Sequence, residues 1–94
     1  MEKAYELVVY DVANRESAIA ARESIKAVLS AFPGYLGWTT LAAADGSAKL
    51  ADLVMWRTLE EAKSAAKKVE SDPAFAPFMA HVAGINLMGH FSEV

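Results

Sequence analysis

Cysteine is missing from all 94 residues, so neither a disulfide nor a thiolate metal site can staple this chain. Long apolar runs are missing too: no stretch approaches the roughly 18 residues of a membrane span. The opening Met1-Glu2-Lys3-Ala4-Tyr5-Glu6 lacks the basic-then-apolar order of a signal peptide. A soluble, cytoplasmic protein is the expectation. Positive charge is scarce, with nine Lys and Arg against twelve Asp and Glu and a net charge of −3. A nucleic-acid binder would carry a basic stripe, whereas here only Lys67 and Lys68 are adjacent, as on a solvated helix face. Glycine-rich phosphate loops, Ser-His-Asp sets and flavin or nicotinamide motifs are also absent. The two histidines lie nine positions apart among scattered carboxylates, which is not ligand spacing, so neither a metal nor a cofactor is expected.

What the chain does have is apolar surface. Apolar residues make up 54% of it, against about 45–50% for an average domain. So short a chain forms one domain, spanning 1–94, and buries a smaller share of its surface than a large one would. With no disulfide or metal, self-association is the remaining source of burial.

Tyr5 to Val12 is a β-branched and aromatic run and reads as a strand. Asn14 then offers a helix cap, followed by an apolar stripe of Ala18, Ala21, Ile25, Val28, Leu29 and Phe32 opposite Arg15, Arg22 and Lys26. Pro33-Gly34 ends that helix. Tyr35–Ala44 and Ala48–Arg57 flank Asp45-Gly46-Ser47 as a hairpin. Thr58 and Glu61 form a capping box, opening a helix whose stripe (Leu59, Ala62, Ala65, Ala66, Val69) is small and alanine-rich. Asp72-Pro73 starts a short helical segment with Phe75, Phe78, Met79 and Val82, which Gly84 breaks before a last strand, Ile85 to Phe91.

The order β-α-β-β-α-β is α+β and ferredoxin-like, a four-stranded antiparallel sheet with both helices on one face. Strand one is apolar on both sides: Tyr5, Leu7 and Val9 on one, Val8, Tyr10 and Val12 on the other. Neither side suits water, so the helix-free face calls for a second sheet, most simply that of an identical subunit.

Two segments resemble the dimeric α+β barrel superfamily, and within it the antibiotic biosynthesis monooxygenase-like domains. Asp52-Leu53-Val54-Met55-Trp56-Arg57-Thr58-Leu59-Glu60-Glu61-Ala62 looks like that family's strand ending in Trp and its acidic, capped helix. Ser71-Asp72-Pro73-Ala74-Phe75-Ala76-Pro77-Phe78 is similar to the turn and aromatic helix that follow. The resemblance implies a homodimer joined through the sheet face, with no cofactor, acting on small aromatic or phenolic molecules. The superfamily also holds haem-degrading enzymes, isomerases and proteins without known activity. Members that oxidise polyketide phenols carry an Asn four residues before the strand-three Trp and a Tyr six after it. Trp56 matches the Trp, but Asp52 stands at the Asn position and Ala62 at the Tyr position. Haem-degrading members need a Trp late in the second helix and a His after the Ser-Asp turn. Lys68 stands at the first position, and His81 falls a few residues beyond the second.

Asp52 is the candidate base, since a carboxylate in a central strand needs partners or a purpose. Leu50, Asp52, Val54 and Trp56 share a face by alternation. A two-residue Asp45-Gly46 turn, the register chosen, sets Thr39 opposite Asp52 and Tyr35 opposite Trp56. A three-residue loop would substitute Thr40 and Leu36. Trp56 is either core or one wall of an aromatic slot, and its N–H needs an acceptor in both cases. Trp38 is assigned to dimer packing. Asn86, Met88 and His90 share a face of the last strand, with His90 near Glu6, and His81 closes the short helix. Tyr35, Thr39, Asn86, His81 and His90 complete the candidate ligand-binding set. The readings left open are a cofactor-independent monooxygenase, a non-catalytic binding or structural dimer, and a haem-degrading enzyme.

Overall fold

The computed structural model describes residues 2–94. Asn14 accepts a hydrogen bond from the Ser17 backbone N–H and opens helix α1, Arg15–Ser30, directly after strand β1, Ala4–Val12. The expected capping box opens helix α2, Leu59–Ser71, where Thr58 Oγ1 accepts from the Glu61 N–H and donates to the Glu61 carboxylate. Between the helices run strands β2, Tyr35–Ala42, and β3, Lys49–Trp56. Asp72 then caps a single 3₁₀ turn, Pro73–Phe75, which leads into a short helix α3, Ala76–Met79, and the edge strand β4, Val82–Phe91.

These elements form an α+β, ferredoxin-like β-α-β-β-α-β domain with one antiparallel sheet in the order β2-β3-β1-β4. β4 begins three residues earlier than the sequence suggested, and Gly84 lies within it. The strand absorbs Gly84 because two register shifts loosen its pairing with β1, leaving Ala83 and Asn86 as extra residues. No helix of the described residues is long and apolar enough to cross a membrane.

Alternation on the two central strands divides them cleanly. Ala4, Tyr10, Val12, Leu50, Val54 and Trp56 are buried beneath the helices with Ala18, Ile25, Leu29, Ala62, Ala65, Phe75 and Phe78. Ala62 and Ala65 are small enough to bring α2 close to the sheet, as its alanine-rich stripe implied. Edge-on ring contacts, Tyr10 with Phe78 at 6.0 Å and Phe32 with Phe75 at 5.8 Å, tie the segment after α2 into this core. The opposite face carries Leu7, Val9, Leu53, Met55 and the exposed Leu41, Leu87 and Phe91, with no element among the described residues covering it.

Two glycines adopt left-handed backbone, Gly34 at φ 83° after α1 and Gly46 at φ 81° in the hairpin loop. They differ in their surroundings. A Cβ on Gly34 would lie 2.5 Å from Glu61 Cδ and 2.8 Å from Glu61 Cβ, whereas one on Gly46 would meet nothing within 4 Å. Gly46→Ala should therefore lose only the backbone term of about 1–2 kcal/mol. Gly34→Ala should lose that and more, because the α2 capping box must shift. Urea denaturation midpoints of the two variants test this, and equal losses would contradict the Gly34–Glu61 contact.

Candidate functional site

The helix-covered face of the two central strands carries two carboxylates, Glu6 and Asp52, each under a tenth exposed. Burying such groups is costly unless hydrogen bonds replace water. Asp52 receives two: Tyr10 Oη donates to Oδ2 at 2.9 Å and Thr40 Oγ1 donates to Oδ1 at 2.7 Å. Glu6 receives one, from Trp56 Nε1 to Oε1 at 3.2 Å, so the acceptor that the Trp56 N–H required is a carboxylate two positions along β1 from Ala4, its paired residue. Among the described residues none donates a hydrogen bond to the other oxygen, Oε2.

Environment separates these groups. Burial pushes the Glu6 carboxyl above its ordinary range, and the charge of Asp52 adds to this; the Trp56 N–H and His90 act against it. Burial also raises the Tyr10 phenol strongly, reinforced by the neighbouring Asp52, so Tyr10 remains a hydrogen-bond donor at working pH. Arg22, from α1, opposes that rise and is itself buried, with its guanidinium 4.3 Å from the Trp38 ring centre. It also pairs with Glu23 at 2.9 Å.

Between these side chains, α2 and the segment after it lies an open cavity of about 220 Å³. An apolar cavity of about 150 Å³ suffices to hold benzene, so a substituted ring fits here. Its polar lining comes from Glu6, Tyr10, Asp52 and Glu70, with the two Trp indoles, and no Lys, Arg or His contributes. The walls are Trp38, Trp56, Phe75, Phe78, Val54 and Val69. Met79, Ile85 and Met88 line it while remaining exposed, so they form an apolar mouth beside the edge strand. An apolar cleft with a few converging polar groups is the usual form of a small-molecule site.

The structure redistributes the expected site residues. Asp52 and Trp56 both line the cavity. Tyr35 lies opposite Trp56 as expected and packs edge-on against it at 5.9 Å, bracing the indole from outside the cavity. Thr39 is a correction: it is exposed, pairs with Leu53 and belongs to the opposite face, while Thr40 sits opposite Asp52. The cause is a hairpin with the three-residue parity, followed by a bulge at Leu36 that reverses parity again before Tyr35. Asn86 is also corrected. It is the extra residue of a β4 bulge and turns to the opposite face, where it bonds Asp11 at 3.1 Å and meets Lys49. His90 does pair with Glu6 across β1 and β4, yet it lies outside the cavity with Nε2 buried and unpartnered. His81 lies in the turn after α3, two residues beyond Met79, and outside the cavity. Trp38 lines the cavity rather than the helix-free face.

Three contributors escaped the sequence reading. Glu6 alternates with Val8 and Tyr10 in a strand apolar on both sides, which is the pattern that places a charge indoors. Arg22 falls four residues after Ala18 and three before Ile25, on the buried stripe rather than opposite it. Tyr10 was read as packing, and its hydroxyl partner could be found only once β1 and β3 were in register. Among the described residues no group of three or more His, Cys, Asp or Glu side chains is gathered as a metal site would need.

Solved structures with this fold are numerous. SnoaB, a cofactor-independent oxygenase from Streptomyces nogalater, is 14% identical and superposes with a TM-score of 0.84 over 100% of this chain and 95% of its own. A candidate antibiotic biosynthesis monooxygenase from Bordetella bronchiseptica, 11% identical, gives 0.86 over 100% and 99%. Another from Chloroflexus aurantiacus J-10-fl, 15% identical, gives 0.76 over 98% and 93%. No protein-family model matches the sequence, and no curated protein sequence does. The fold neighbours are thus antibiotic biosynthesis monooxygenase-like domains, as the sequence resemblance implied, and at these identities they establish the architecture.

A carboxyl with a raised folded-state value binds its proton more readily folded than unfolded. Its contribution to stability is therefore present below the unfolded value of about 4.3 and is lost as pH rises through the raised folded value. Asp11, Asp45 and Glu61, whose values hydrogen bonds lower, act in the opposite sense. Glu6→Gln keeps an acceptor for Trp56 and leaves those three unchanged. Urea titrations from about pH 4 to about pH 7 should show the wild type losing stability relative to Glu6→Gln. A difference independent of pH would mean that Glu6 is not held in this desolvated position.

Proposed function

We propose that this protein is a homodimeric α+β barrel that binds a small aromatic or phenolic molecule in the cavity beneath α2 and oxidises it without a cofactor. The observation that carries the reading is the cavity itself: an apolar, indole-walled space of about 220 Å³, open to solvent, lined by the carboxylates of Glu6, Asp52 and Glu70. A pocket carboxylate, for which Asp52 is the sequence candidate, takes the phenolic proton, and the electron-rich ring then reacts with O₂. Such chemistry asks the protein for orientation and exclusion of water, which Trp38, Trp56, Phe75 and Phe78 supply. The described activity of SnoaB, a cofactor-independent oxygenase on the same fold, supports the assignment.

A non-catalytic binding dimer is the second reading. It is favoured by Ala62, fully buried where phenol-oxidising relatives carry a Tyr, and by the engagement of both Asp52 oxygens in hydrogen bonds within the protein. In either reading the partner is a second copy, joined through the face that bears Leu7, Val9, Leu41, Leu53, Leu87 and Phe91, since so much apolar surface is unfavourable in water.

A screen of phenols and polycyclic aromatics, with O₂ uptake as the readout, tests the activity. Asp52→Asn and Trp56→Phe should each lower turnover by roughly 100-fold or more, the usual scale for a group in direct contact with the reacting molecule. Unchanged rates would remove both residues from the mechanism. Size-exclusion chromatography should give twice the chain mass, and Leu53→Glu, at the centre of the helix-free face, should give the monomer. A monomeric wild type would sink the interface.

A further inference from the structure

Asp52 and Glu6 occupy the same cavity but have different capacities left for a ligand. Each Asp52 oxygen already accepts one hydrogen bond, Oδ1 from Thr40 and Oδ2 from Tyr10, and keeps one lone pair apiece for a ligand. Glu6 is anchored through Oε1 by the Trp56 indole, no described residue donates to its Oε2, and the residue is 9% exposed while lining the cavity. Oε2 is open to the cavity rather than sealed, so a ligand hydroxyl can take the place of solvent there. Burial also raises its affinity for a proton, which moves a carboxylate toward the range useful for a general base.

The cavity's charge adds a constraint. No Lys, Arg or His side chain lines it, and the buried Arg22 is stacked on Trp38 without reaching the lining, so a preformed phenolate would enter directly beside carboxylates. A neutral phenol avoids this, because moving its proton to Glu6 leaves the total charge of the cavity unchanged. We propose that Glu6, rather than Asp52, is the proton acceptor of this site, and that the ligand enters as a neutral phenol. The phenol O–H bond breaks, an O–H bond forms at Glu6 Oε2, and the electron pair stays on the phenolic oxygen. Asp52, clamped by Tyr10 and Thr40, is a positioning residue on the same wall. The inference rests on the reading of the cavity as a phenol site, and it assigns the proton to one residue within that reading.

A nitrophenol is a suitable probe. Its neutral and ionised forms absorb at different wavelengths, and its electron-poor ring resists O₂. Binding is followed separately, by quenching of the two indoles that wall the cavity. Below the probe's own ionisation midpoint, the fraction bound to the wild-type dimer should show the phenolate spectrum. Glu6→Gln should bind within about threefold of wild type, since the Trp56 contact and shape persist, and show only the neutral spectrum; a threefold change is under 1 kcal/mol. Asp52→Asn should weaken binding while the bound fraction keeps the phenolate spectrum. Phenolate on Glu6→Gln but not on Asp52→Asn would overturn the assignment in favour of Asp52. Binding to wild type with no phenolate would overturn proton transfer and leave the cavity as a binding site. Absence of quenching by any phenol would overturn the cavity reading and this inference together.

Discussion

Two carboxylates lie indoors on the central strands of a small sheet, and satisfying them organises much of what surrounds them. Asp52 requires a donor from each side. It takes Tyr10 from β1 and Thr40 from β2, so the three strands are linked by side chains as well as by their ladders. Glu6 requires at least one donor and takes the indole of Trp56, which fixes the plane of the largest side chain in the core. Tyr35 then closes on the outer edge of that indole. The Trp56 wall of the cavity is thus held by a polar contact, which specifies orientation more tightly than apolar packing alone.

The same arrangement explains why a chain so rich in apolar residues is not filled solid. Ala62, Ala65 and Ala66 let α2 approach the sheet without filling the space beyond them, and the bulky side chains come instead from the segment after α2. Phe75 and Phe78 close one end, while Met79 and the edge strand leave the other open. An empty apolar volume lowers stability, and the chain has no cysteine with which to form an offsetting disulfide. The helix-free face, with its row of Leu, Val and Phe, is where further burial is available.

Element order and the helix caps were legible in the sequence, because they rest on local signals such as Asn14, Thr58 with Glu61, and Asp72 with Pro73. The Asp52–Trp56 face was legible for the same reason. What alternation could not supply was anything downstream of a bulge. Leu36 reverses parity inside β2, so Tyr35 and Thr40, one odd and one even, both face the helices. Asn86 does the same in β4 and leaves the site by it. Glu6 and Arg22 were hidden differently: both occupy positions that periodicity marks as buried, but their charge directed attention outward.

The two bulges of β4 have a consequence beyond aiming side chains. β4 is an edge strand, and a straight, apolar edge offers unpaired backbone groups on which a foreign strand can grow. Ala83 and Asn86 interrupt its ladder within the stretch that also carries the exposed Ile85. The spacing of the backbone donors and acceptors along that stretch therefore fails to match a regular partner. The edge that leaves its side chains free for a ligand is, by the same irregularity, a poor template for aggregation.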